Sequence, residues 1–366
     1  MSVEFLDWST AQRDAHDLWS ELLVAGNFNP SLHPTWMDAT VRAWSLEKSA
    51  QIAIVRPDNG TAAVVPFMVR RKTVLGLPLT CLELCSNVFA YHAEIVARGD
   101  LDSALAHLLD STGLPRWDAL RICNVVGDGP TAQAMRRLAA GRGGLSMRAG
   151  EKSPYVTIDR DWTQYLATRP KKVRANITRS VRVMEAAGES GMRWFEADAD
   201  YDKLLADMVD IEARSWKLRA GVAIVRDTPQ FDYYTRLLPW LGANGMLANV
   251  LYVKDRPAAY VLAMAWRGWV GQLKTSFSEE LRDAGSRVIH VSLERAFRDR
   301  NREYDFLGDI APHKMRWTEN VRAHEDLWAF APHLRGRALA MIKSAADRLH
   351  EWRERRAQSQ TAEPAE

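Results

Sequence analysis

The chain has 366 residues, 47% hydrophobic and 26% charged, a balance typical of soluble globular proteins and long enough for about two domains, which excludes a disulfide knot, a disordered chain and a membrane bundle. Its 49 Lys and Arg against 46 Asp and Glu leave a formal net charge of +3, so no global field drives nucleic-acid or membrane binding and any basic site must be local. Of the cations 38 are Arg and 11 are Lys, and there are 14 Trp, a stock of forked donors and aromatic faces.

In chain order, the first 45 residues read as interrupted helices: residues 14–25 place Ala15, Leu18, Trp19 and Leu22 at helical spacing before Gly26, and Asn29-Pro30 breaks the chain. Pro57-Asp58-Asn59-Gly60 is a turn between two β-branched runs, the start of an antiparallel meander. Residues 101–109 have helical periodicity, 117–125 alternate as a strand and 130–140 read as a helix. The glycine-rich basic stretch 141–150 reads as a linker. The second half repeats this order: a strand at 155–158, helices from Asp161, from Pro170, over 201–217 and over 230–241, strands at 246–253, 258–267 and 269–276, a helix at 286–300 and a strand at 304–307. This is an internal structural repeat of one α+β unit. It sets the expected domains at 1–150 and 151–330, with a basic amphipathic helix over 331–356 and a disordered tail over 357–366. The helix carries Leu334, Ala338, Met341, Ile342, Ala345, Leu349 and Trp352 on one stripe, read as packing against the second domain, with a membrane surface or a partner helix as the alternative.

Cys81, Cys85 and Cys123 lie in apolar strand-like surroundings and read as reduced core thiols, with no metal site. The N-terminus has acids where a signal peptide has cations, and the longest apolar run, 258–266, falls short of the roughly 20 residues that span a bilayer. A cytoplasmic protein without a transmembrane segment is expected.

The most informative stretch is 269–317. A strand ends in Arg282-Asp283-Ala284-Gly285-Ser286-Arg287 and a helix begins at once. Helix N-terminal N–H groups bind anions, a glycine lets a phosphate approach the main chain, and Arg282 and Arg287 add forked donors. A pyrophosphate site at Arg282, Gly285, Ser286 and Arg287 is therefore expected. On the helix from Pro170, Lys172, Asn176 and Arg179 share one side, with Arg174 nearby, and are read as substrate contacts against the alternative of a solvated basic face. Trp216, with Tyr91 and His92, supplies rings that suit a sugar.

The Arg282-x-x-Gly285 loop resembles the coenzyme A pyrophosphate loop of the GNAT acyltransferase fold, with Arg287 where that pattern has a small residue. The sequence Tyr304-Asp305-Phe306-Leu307-Gly308-Asp309 and His313-Lys314-x-x-Trp317 is similar to the ending of the CelD/FemABX-like acetyltransferases. The run Lys171-Lys172-x-Arg174-x-Asn176-Ile177-x-Arg179 and Ser215-Trp216-Lys217 with Gly221 resemble two further motifs of that family. The resemblance implies two tandem GNAT-like domains with the acyl-CoA loop in the second, acetyl-CoA or another acyl-CoA as co-substrate, and direct attack of an amine on the thioester. It implies Asp309 as base or amine-orienting group, His313 as the alternative, and Lys314 in transition-state stabilisation. By the same analogy the acceptor is an amino group on a sugar or exopolysaccharide precursor. The competing expectations are an aminoacyl-tRNA-dependent FemABX-like transferase and a degenerate effector that binds a nucleotide such as cyclic di-GMP.

Overall fold

A computed structural model describes residues 2–56, 62–74, 76–85, 91–141, 144–188 and 190–361. The expected turn at 57–60 and the last five residues of the expected tail lie outside them. The chain divides into two compact units, one formed by 1–41, 45–150 and 323–366, the other by 42–44 and 151–322.

The first unit contains β1 (Ser2–Asp7), α1 (Trp8–Asp14), α2 (His16–Ala25), most of α3 (Pro34–Ala43), β2 (Ala50–Arg56), β3 (Ala62–Val74), β4 (Leu77–Leu84), β5 (Val96–Arg98), α4 (Leu101–Asp110), β6 (Ala119–Val126) and α5 (Pro130–Gly141). β7 (Leu145–Thr157) leads into the second unit, which holds α6 (Trp162–Thr168), α7 (Lys171–Ala187), β8 (Ser190–Phe195), α8 (Tyr201–Ala213), α9 (Trp216–Arg219), α10 (Pro229–Ala243), β9 (Met246–Val253), β10 (Arg256–Trp266), β11 (Trp269–Phe277), α11 (Ala284–Arg298), β12 (Glu303–Asp305) and α12 (Pro312–Met315). β13 (Val321–Phe330) and α13 (Leu334–Thr361) complete the first unit.

The two units share a sheet plan. In the first, β1, β2, β3 and β4 form an antiparallel meander, β4 pairs in parallel with β6, and β13 pairs antiparallel with β6. In the second, β8, β9, β10 and β11 form the meander, β11 pairs in parallel with β12, and residues 155–157 of β7 pair antiparallel with β12. Each parallel step needs a crossover, supplied by α4 in one unit and α11 in the other. Each sheet buries aliphatic side chains: Val65, Leu82 and Ile122 pack with Leu105 and Leu108 of α4, and Val261, Ala263 and Val270 pack with Val288 and Leu293 of α11.

Helix starts follow the sequence closely. Asp7, Asp100, Asp161 and Asp200 all stand at N-caps in extended backbone, and each carboxylate accepts a first-turn N–H, from Thr10, Asp102 and Ser103, Gln164 and Lys203 respectively. Ser215 does the same for Lys217, which is why the expected single helix over 201–217 is divided into α8 and α9.

Several expectations are corrected. The chain opens with a strand, β1, not a helix. Residues 145–150 of the expected linker belong to β7, and a Cβ at Gly150 would stand 3.2 Å from the His324 backbone, so that glycine permits a close approach of two main chains. Residues 323–330, placed in the second domain by the sequence, belong to the first unit, because β13 pairs with β6. α13 buries Leu339 and Ala340 against Leu79, Cys81, Trp328 and Phe330 of the first unit, while Leu334, Met341, Leu349 and Trp352 of the stripe expected to dock are exposed and Ile342 is half-buried. The helix also continues through 357–361, where a disordered tail was expected. All three cysteines are free; burial pushes the Cys81 and Cys123 thiols up to about 12 and Cys85 higher still.

Candidate active site

β12 accompanies β11 for only three positions, Trp269 opposite Glu303 to Gly271 opposite Asp305. Beyond Gly271 the two chains part, and among the described residues the edge of β11 over 272–277 has no strand partner on that side. A cleft of about 480 Å³ opens there, wholly within the second unit. β11 lines it with Thr275, Ser276 and Phe277; the following loop and α11 with Asp283, Gly285, Ser286 and Ile289; α9 with Trp216 and Lys217; and α12 and its C-terminal side with His313, Arg316 and Trp317.

The N-terminus of α11 faces this cleft. The first turn of a helix lacks intrahelical acceptors for its N–H groups, and the 15-residue α11 adds its dipole. Gly285 is buried, and a Cβ there would lie 2.5 Å from Phe277 Cδ1. Ser286 Oγ accepts a hydrogen bond from Arg316 Nη1 at 3.3 Å. Asp283, the N-cap residue, sits at φ 66° and makes no side-chain cap bond. Its carboxylate instead accepts from Arg179 of α7, Nε to Oδ2 and Nη2 to Oδ1, both at 2.9 Å.

Beside the cleft lies a buried charge cluster. Glu212 is fully buried, and its Oε1 accepts from Lys217 Nζ at 3.0 Å and from Tyr260 Oη at 2.6 Å, while Oε2 accepts from the Ile224 N–H at 2.6 Å. Lys274 Nζ stands 3.4 Å from the same Oε1. Lys217 also donates to the Thr275 carbonyl at 2.6 Å, tying α9 to the free part of β11. Ser276 is buried, and among the described residues its hydroxyl has no hydrogen-bond partner.

Of the residues read from the sequence, Gly285, Ser286, Trp216 and His313 line the cleft, with the Trp216 side of the residue 46% exposed. Desolvation, with Lys314 and Arg316 nearby, lowers the His313 pKa to about 4, so its imidazole is neutral at pH 7. Asp309 and Lys314 are not among the lining residues. Asp309 is exposed, and its Oδ1 accepts from the backbone N–H of Lys152 at 3.2 Å and of Ile310 at 2.8 Å, a turn-holding role. Lys314 donates to the carbonyls of Leu307 and Asp309, clamping a turn in which Leu307 and Gly308 are left-handed; burial lowers its pKa.

Arg282 is exposed on the loop and does not line the cleft, and Arg287 donates to His290 Nδ1 at 3.0 Å one turn into α11. On α7, Lys172 is exposed and Asn176 half-buried, and Arg174 turns back to the carbonyls of Ala167 and Arg169, closing the end of α6. Tyr91 and His92 belong to the first unit, where His92 is buried and its Nδ1 lies 2.8 Å from His324 Nε2. Sequence reasoning missed Thr275, Ser276, Phe277, Ile289 and Arg316. Thr275 and Ser276 read only as the end of a strand and Phe277 as the residue after it; the signal that marks them is that the partner strand, read at 304–307, accompanies β11 for only three positions. Among the described residues no group of His, Cys, Asp and Glu is placed to hold a metal, and no helix is long and apolar enough to cross a membrane.

Residues 171–315, from α7 to α12, match the family model of the acetyltransferase (GNAT) domain. Over that span the chain is similar to a GNAT domain. Its cleft is enclosed by that match save for Arg316 and Trp317 at its far end. Two solved structures extend the likeness of fold to nearly the whole chain. FemX is 14% identical with a TM-score of 0.60, over 94% of this chain and 100% of that one. A conserved protein of unknown function from Bacteroides thetaiotaomicron VPI-5482 is 12% identical with a TM-score of 0.58, over 90% of this chain and 100% of that one. No curated protein matches the chain. The fold is α+β, two tandem GNAT-like units each built on a mostly antiparallel mixed sheet with flanking helices, plus the C-terminal helix.

Proposed function

We propose that this protein is an acyl-CoA-dependent N-acyltransferase, acetyl-CoA being the first donor to test, acting on an amino group of a sugar or exopolysaccharide precursor. The observation that carries this reading is that one cleft joins two features an acyl-CoA needs: the N-terminus of a long helix, which suits a pyrophosphate, and an unpaired strand edge, which suits an extended amide-bearing arm. The bare main chain at Gly285 fits a phosphate approaching α11, since any side chain there would run into Phe277. An amine lone pair attacks the thioester carbonyl, the C–S bond breaks, the thiolate leaves as coenzyme A, and the amine gives up its proton. His313 is read as the cleft residue that takes that proton. Exposed Trp216 offers a flat apolar face to a sugar ring.

One observation favours a second reading. Asp283 brings a carboxylate to the helix end that would hold phosphates, while α7 exposes Lys171 and Lys172, an arrangement compatible with an aminoacyl-tRNA donor. Thermal shift with acetyl-CoA, charged tRNA and cyclic di-GMP, followed by thiol release with glucosamine as acceptor, separates the readings. Stabilisation by acetyl-CoA alone is expected, and no stabilisation by any acyl-CoA refutes the proposal.

A further inference from the structure

The chain contains its own control for Asp283. The four other aspartates at helix N-caps, Asp7, Asp100, Asp161 and Asp200, lie at φ between −65° and −81° and cap their helices with the side chain. Asp283 alone among these five is left-handed, at φ 66°, and leaves the first turn of its helix uncapped. Left-handed backbone is strained for a non-glycine residue, and the side-chain cap that stabilises a helix start is unmade here. The carboxylate is not idle: it is gripped at both oxygens by the Arg179 fork. Asp283 is nearly enclosed, its side chain 12% exposed, while Arg179 is 48% exposed on a helix surface where it fills no core.

We infer that Arg179 is a positioning residue that holds the Asp283 carboxylate off the N-terminus of α11 and so keeps that anion site open. In its absence the loop relaxes into the arrangement of the four other caps, and the carboxylate takes the N–H groups that an incoming phosphate needs. While the fork is in place the pair is neutral, so the phosphate meets no uncompensated negative charge. The motif read from the sequence as a row of substrate contacts thus has at its end a residue that acts on the site through Asp283.

The inference rests on the reading of the cleft as an acyl-CoA site, and the experiment separates the two. Coenzyme A affinity is measured by calorimetry for the wild type, Arg179→Met, Asp283→Gly and the double variant. Arg179→Met is expected to lose at least tenfold in affinity. Asp283→Gly, which suits a left-handed position and removes the carboxylate, is expected to bind more tightly than the wild type, and the double variant is expected to return to within threefold of it. If Asp283→Gly is as damaging as Arg179→Met, the pair is only a tether between helices; if the double variant stays as weak as Arg179→Met, Arg179 contacts the phosphates itself. Either result overturns the inference. A crystal structure of ligand-free Arg179→Met tests it without any donor: the Asp283 carboxylate is expected on the first-turn N–H groups of α11 at negative φ, and an unchanged loop overturns it. Failure of the wild type to bind coenzyme A refutes the acyl-CoA reading and leaves that structural test standing.

Discussion

Replacing Lys274 with Met is expected to make the folded protein more stable at neutral pH. Lys274 and Lys217 share the single carboxylate of Glu212, and Lys274 is the looser partner, at 3.4 Å against 3.0 Å, with its side chain 10% exposed. Burial first, then repulsion from Lys217, lowers the Lys274 pKa from 10.5 to about 8, against the pull of Glu212. A shift of that size corresponds to roughly 3 kcal/mol of penalty on the charged form in the folded state. Below pH 8 the folded protein carries the whole penalty. Between pH 8 and 10.5 the unfolded chain still binds the proton while the folded chain has released it, so the contribution of Lys274 to stability rises with pH and the penalty is gone above 10.5. Methionine matches the length of the stem and leaves Glu212 paired one-to-one with Lys217, the circumstance in which removing a buried charge is tolerated. Urea unfolding of both proteins, followed by tryptophan fluorescence from pH 7 to 10.5, should show Lys274→Met ahead by about 1–3 kcal/mol at pH 7, with the gap closing as pH rises. A variant that is less stable at pH 7 by a pH-independent amount refutes the charge argument.

Three further outcomes are expected. Gly285→Trp should abolish stabilisation by coenzyme A while far-UV circular dichroism is unchanged, because even a Cβ meets Phe277 at 2.5 Å; retained affinity would show that the loop does not hold the pyrophosphate. Arg322→Met should lower stability by about 3–5 kcal/mol in urea titrations, since it removes the guanidinium that pairs with the fully buried Asp305 at 2.5 Å; a loss under about 1 kcal/mol would mean that the other partners of Asp305, among them Ser153 and the Leu307 N–H, suffice. With the His313 pKa held at about 4, the kcat profile should show no inflection from this residue between pH 5 and 8. An inflection near 6.5 that disappears in His313→Asn would refute an imidazole held neutral in this range.

The strands and helices of the second unit were legible where the hydrophobic period is clear, as in β9, β10, β11 and α11. β13 was not read at all, because its inward positions mix types: His324 is buried against His92, and the register shifts between Glu325 and Leu327, so neither alternation nor an apolar run survives. β8 is only six residues long and opens on Ser190-Gly191, so it does not stand out. At the cleft, glycine before a helix exposed Gly285 and Ser286, and a motif exposed Trp216 and His313. The motif also drew attention to Asp309 and Lys314, which hold a backbone turn, and to Arg174, which closes a helix. Sequence spacing places a charge near a site; whether it faces the ligand or a carbonyl depends on the turn between.

The pairing of β13 with β6 also bears on the order in which the chain can fold. The first unit is incomplete until residues 323–330 arrive, and those follow all 172 residues from 151 to 322. During synthesis the edge of β6 and the apolar patch around Leu79 and Cys81 must wait uncovered while the second unit is made. A fragment cut at residue 150 would keep that edge permanently open and invite self-association, whereas a break elsewhere that spares β13 would not. The unit that comes first in the sequence is therefore the last to close.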